Sequence, residues 1–144
     1  MTRDEYLTYF DKTYREKLTA HPVFADRYNG FRKIFETLLN QRKNGFSIIE
    51  TGTLRKKDQW TDGQSSLLFF EFVSLFGGEL ISIDTDRFAL ETCEEVLREK
   101  IGLGKAKFTP LEIEREHKNT SNVLSQKHTL QSDTGNQATK ERSQ

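Results

Sequence analysis

Residues 46–53 read Phe46-Ser47-Ile48-Ile49-Glu50-Thr51-Gly52-Thr53, and residues 79–86 read Glu79-Leu80-Ile81-Ser82-Ile83-Asp84-Thr85-Asp86. Each is a short apolar run, rich in β-branched side chains, that stops abruptly in acidic and hydroxyl residues. Such runs suit strands buried on both faces of a parallel sheet. Between them, residues 51–63 are polar with glycines at both ends and read as a loop. Helix signals begin at Gln64, where Leu67, Leu68, Phe70, Phe72 and Phe76 give an almost wholly apolar helix that Gly77-Gly78 ends. Strand, apolar helix and strand make the repeating unit of an α/β sheet.

Working outward, residues 3–18 carry Tyr6, Tyr9, Phe10, Tyr14 and Leu18 at helical spacing. His21-Pro22 breaks that pattern. A second helical stretch holds Phe31, Ile34, Phe35, Leu38 and Leu39, with Asn44-Gly45 as its stop. On the other side, Arg87 to Lys100 reads as an amphipathic helix, closed by Gly102 and Gly104. Ala106-Lys107-Phe108-Thr109 opens a third strand that Pro110 is expected to interrupt. The fold class expected is α/β: a Rossmann-like doubly wound sheet, incomplete at two to three parallel strands, preceded by two N-terminal helices. The organisation expected is helices over 1–45, a partial ligand-binding domain over 46–109 and a disordered polar tail over 110–144.

Composition narrows the function classes. The 22 basic and 22 acidic residues cancel, which argues against a nucleic-acid binder or a membrane anchor working through a basic field. The single Cys93 cannot form an internal disulfide, and no Cys/His cluster has zinc spacing, so no metal is expected. The first residues lack the apolar core of a signal peptide, and the run Leu67 to Phe76 is far below the ~20 residues that span a bilayer. A cytoplasmic setting is the default. The 11 Phe, 4 Tyr and 1 Trp all lie between Tyr6 and Phe108; a segment without them buries too little to offset ~1–2 kcal/mol of backbone entropy per residue.

In doubly wound sheets ligands bind beyond the carboxyl ends of the strands. The first strand ends in Glu50, Thr51, Gly52 and Thr53, where Gly52 lets the backbone turn sharply and approach a ligand. Asp62-Gly63-Gln64-Ser65-Ser66 leads into the apolar helix, whose free N–H groups suit an anion such as a ligand carboxylate. A carboxylate at Asp84 can accept bonds from the vicinal hydroxyls of a ribose. Neither the three-glycine dinucleotide pattern nor a GxxxxGK[ST] phosphate loop is present.

The run IIETGTLRKKDQWTDGQSSLLFFEFV, followed by GGELISIDTD, resembles the first half of a class I S-adenosylmethionine-dependent methyltransferase of the small-molecule type. The resemblance implies S-adenosylmethionine as cofactor and a small-molecule methyl acceptor. It would place Glu50, Thr51, Gly52 and Thr53 under the methionine moiety, Gly63, Gln64 and Ser65 at its carboxylate end, and Asp84 on the ribose. It also implies a seven-stranded sheet whose later strands carry the acceptor site. Those strands are not legible here, so the chain is expected to be truncated and inactive alone, with catalytic residues unknown. A homo-oligomer or a complementing chain would then complete it. The alternative from another class is a non-catalytic remnant or interaction protein built on the half fold.

Other residues carry quieter expectations. Trp60 is a loop anchor more readily than an adenine platform, and Cys93 belongs to the core. His21 caps or solvates a turn, Arg55-Lys56-Lys57 is a solvated charge run more readily than a contact for an anionic substrate, and Asp86 rather than Asp84 caps the following helix.

Overall fold

The computed structural model describes residues 1–41 and 44–115. Helices α1 (Arg3–Thr19) and α2 (Asp26–Asn40) come first, separated by a short 3-10 turn at Pro22–Phe24. Then follow β1 (Phe46–Thr51), α3 (Ser65–Phe76), β2 (Gly78–Asp84), α4 (Arg87–Lys100) and β3 (Lys107–Glu112). The three strands form one sheet in the order β1-β2-β3. Both pairings are parallel, with Glu50 opposite Ser82 and Ser82 opposite Pro110. This is the partial Rossmann-like α/β arrangement the sequence predicts. The compact unit runs from Met1 to Ile113.

Local chemistry sets the element ends. Thr2 and Glu5 form a reciprocal capping box at the start of α1. Asp86 accepts from the N–H groups of Phe88 and Ala89 and so caps α4, as expected. His21 Nδ1 accepts from the N–H of Val23 and caps the 3-10 turn. Gly78 is required where β2 begins beside Phe46: its φ is +130°, and a Cβ there would lie 2.0 Å from the Phe46 carbonyl oxygen.

The layers follow from the apolar pattern. Helices α3 and α4 lie against the sheet and touch each other, α3 over β1 and β2, α4 over β2 and β3. Phe46, Leu80 and Phe108 point toward them, and Phe46 and Phe108 meet Phe72 and Phe70 of α3. Helices α1 and α2 form an outer layer on α3 through Tyr6, Phe35 and Phe72, all fully buried. Glu71 interrupts the apolar α3, and the hydroxyls of Tyr9 and Tyr14 donate to its carboxylate. Trp60 packs 5.7 Å from Tyr14, centroid to centroid, which makes it the loop anchor the sequence suggests.

The opposite face of the sheet is open among the described residues. Ile49 is 65% exposed there, beside the half-buried Ile81 and Ile83, and Leu111 and Ile113 are exposed.

The structure corrects the expected end of the third strand. Pro110 does not break β3, which continues through it to Glu112. The N–H of Ile113 donates to the carbonyl of Asp84 at 2.9 Å, so alternate N–H groups of β3 face β2. Position 110 falls on the other parity and faces the sheet edge, where a proline forfeits no ladder bond. Residues 110–112, expected in a disordered tail, are therefore strand. The rest of that expectation, from residue 116 onward, lies outside the described residues.

Candidate functional site

The carboxyl ends of β1 and β2 meet in one polar cluster. The N–H of Gly52 donates to the carbonyl of Ile83 at 2.8 Å and extends the pairing by one bond. The N–H of Thr53 donates to Asp84 Oδ2 at 3.0 Å, and the N–H of Asp86 donates to Asp84 Oδ1 at 2.9 Å. Arg55 Nη2 stands 3.9 Å from the same carboxylate, whose side chain is only 3% exposed. Burial acts to raise the Asp84 carboxyl, but the N–H groups of Asp86 and Thr53 and the Arg55 guanidinium outweigh it and hold it below the ordinary range.

Glu50 lies beside this pair on the inward face of β1 and is buried. The hydroxyls of Ser66 and Ser82 donate to its Oε1, and that of Ser65 donates to Oε2 at 2.9 Å. Burial pushes the Glu50 carboxyl up, the three hydroxyls oppose the rise, and the charge of Asp84 adds to it. Ser66 also accepts the N–H of Leu54 at 3.0 Å and so links the loop to the first turn of α3. Cys93 packs against the same cluster from α4, fully buried, with burial raising its thiol. It is a core residue, as its place on the apolar face predicts.

The residues singled out by sequence divide into two sets. Glu50, Thr53, Gln64 and Asp84 are buried and form the scaffold. Thr51 and Gly52 are exposed, and Gly63 and Ser65 half-exposed. The two glycines have φ of +81° and +91°, and no atom lies within 4 Å of a Cβ built on either. Gln64 Nε2 donates to the carbonyls of Lys56 and Gln59 at 2.8 and 3.2 Å, which folds the loop back on itself. Its Oε1 is buried and, among the described residues, has no hydrogen-bond partner. Of the charge run expected to be solvated, Lys56 is exposed, but Lys57 pairs with Glu99 and Arg55 with Asp84.

Ser82 escaped the sequence reading. The signal was there: a hydroxyl at an inward position of an apolar strand, in register with Glu50 once the strands are paired. Among the described residues no group of three or more His, Cys, Asp or Glu side chains could hold a metal ion, and no helix is long and apolar enough to cross a membrane.

The fold and the cluster define an α/β chain with backbone and polar groups gathered at the carboxyl ends of two adjacent parallel strands. No family model, no curated protein and no solved structure matches the chain.

Proposed function

We propose that this chain binds S-adenosylmethionine at the carboxyl ends of β1 and β2, as the cofactor-holding part of a small-molecule methyltransferase. The observation that carries the reading is the bond from Thr53 N–H to Asp84, which joins the turn after β1 to the residue that ends β2. Beside it, the start of α3 is seated on Glu50.

On this reading the bare backbone of Gly52 and Gly63, with the exposed Thr51 beside it, takes the methionine part of the cofactor, because neither glycine has a side chain to block a close approach. The N-terminal turn of α3 and Ser65 take its carboxylate. Gln64, buried and bonded to the carbonyls of Lys56 and Gln59, braces the loop that carries this surface. Asp84 takes the ribose hydroxyls with the lone pairs that Thr53 and Asp86 leave over, once the half-exposed Arg55 swings aside. The cofactor supplies an electrophilic methyl group; the residues of this chain bind and orient it. On the same reading, the described residues hold the cofactor but do not complete a site for the acceptor, which belongs to further strands or to a second chain.

Calorimetric titration with S-adenosylhomocysteine tests this. Binding is expected, weakened about tenfold by Gly52→Ala, which adds a methyl to the approach surface. A folded chain that gives no binding heat overturns the reading. The open sheet face, with Ile49 largely exposed, favours the second reading, an interaction protein built on the same half fold.

A further inference from the structure

A separate cavity of about 380 Å³ lies between the end of α1, the 3-10 turn and the loop after β1. That volume falls in the range of small-molecule sites, roughly 300–1,000 Å³. Trp60, Phe24 and the buried Leu18 give it apolar walls, and Lys17, His21 and Asp58 give it polar ones. None of the residues assigned to the cofactor lines it.

Its aromatic walls are bracketed by cations. Lys17 Nζ lies 5.3 Å from the Trp60 ring centroid and 5.9 Å from that of Tyr14. Arg27 stacks its guanidinium 4.2 Å over Phe24, and its Nη1 donates to the carbonyl of Thr61 at 3.3 Å, tying α2 to the far rim. Neither cation forms an ion pair with a carboxylate among the described residues. Asp58, the acidic side chain of the lining, is engaged by Lys100 of α4 at 2.6 Å. Asp58 also attracts Lys17 and Lys57, and Lys57 is paired with Glu99. The cations Lys17, Arg27, Lys57 and Lys100 still outnumber these two carboxylates, so the balance over the flat apolar walls is positive and ligands of one class meet both demands.

We propose that this cavity is a binding site for a small planar aromatic carboxylate, its ring against Trp60 and Phe24 and its charge toward Lys17. The ring covers apolar surface, and the carboxylate gives Lys17 a direct anionic contact in place of its longer-range attraction to Asp58.

Trp60 is the only tryptophan in the sequence, so its indole N–H gives a single reporter resonance. The probe is benzoate, with benzamide as the uncharged aromatic control and cyclohexanecarboxylate as the non-aromatic anion. Benzoate is expected to shift the Trp60 resonance saturably, with each control about tenfold weaker. Lys17→Met, which keeps the alkyl stem, is expected to erase the preference for benzoate over benzamide. Phe24→Ala is expected to weaken both aromatics. Saturating S-adenosylhomocysteine should leave the benzoate shift in place. An unmoved Trp60 resonance, equal shifts from all three probes, or displacement by S-adenosylhomocysteine would each overturn the proposal. Failure of S-adenosylhomocysteine to bind, with benzoate still bound, would remove the cofactor reading alone.

Discussion

The backbone N–H of Thr53 donates to Asp84 Oδ2 at 3.0 Å, so the carboxylate that ends β2 holds the turn that leaves β1. Asp84→Ala leaves that N–H and the N–H of Asp86 without their acceptor. A loss of about 2 kcal/mol is expected by chemical denaturation. The lowered Asp84 carboxyl also sets a direction with pH. Its contribution is full above the ordinary aspartate range and fades as pH falls through the lowered value. The gap between the wild-type protein and Asp84→Ala should therefore narrow in acid; a gap that holds constant would show that Asp84 does not act as a charged acceptor.

Glu50 runs the other way. Its carboxyl is raised, so the native state keeps a proton that the unfolded chain releases. The stability this confers is present in acid and lost as pH rises through the raised value. Glu50→Gln keeps an acceptor for Ser66 and Ser82 and turns its amide toward Ser65, which can accept. The variant is expected to gain thermal stability relative to the wild-type protein as pH rises past the usual glutamate range. Parallel melting curves at every pH would contradict the burial of a charged group there.

Gly78→Ala puts a methyl group 2.0 Å from the Phe46 carbonyl oxygen, at a φ of +130° that side chains rarely adopt. Backbone meets backbone, so nothing can yield cheaply. A loss of about 3 kcal/mol or more is expected, read as a fall in the denaturant midpoint.

Phe72 lies under Tyr6 and Phe35 on one side and Phe46 on the other, fully buried. It joins the helical layer to the sheet. Phe72→Ala should cost about 3–5 kcal/mol, a large share of the roughly 5–15 kcal/mol of an ordinary domain, and circular dichroism would report helix lost at a lower denaturant midpoint.

The open sheet face invites association, but weakly. Strands of six, seven and six residues cover roughly 20 by 14 Å, well under the ~800 Å² per partner of a stable interface. Sedimentation should show self-association only at high concentration, and Ile49→Lys should reduce it. A tight dimer unaffected by that change would place the contact elsewhere.

The sequence alone settled the order of elements, because that order is written in local periodicity. The spacing of Tyr6, Phe10 and Tyr14, the apolar runs of β1 and β2, and the glycines at 77 and 78 each act within a few residues. Register and partners are set by contacts distant along the chain. Nothing near Ser82 in sequence says that its hydroxyl meets Glu50; only the parallel pairing of β1 with β2 brings them opposite. Pro110 shows the same limit from the other side. A proline reads locally as a strand breaker, yet it is harmless here because its position in the ladder faces an edge, and which strand lies at the edge is a property of the assembled sheet. The direction in which Asp84 turns was likewise decided in three dimensions, by the backbone N–H groups of Thr53 and Asp86 that hold its two oxygens.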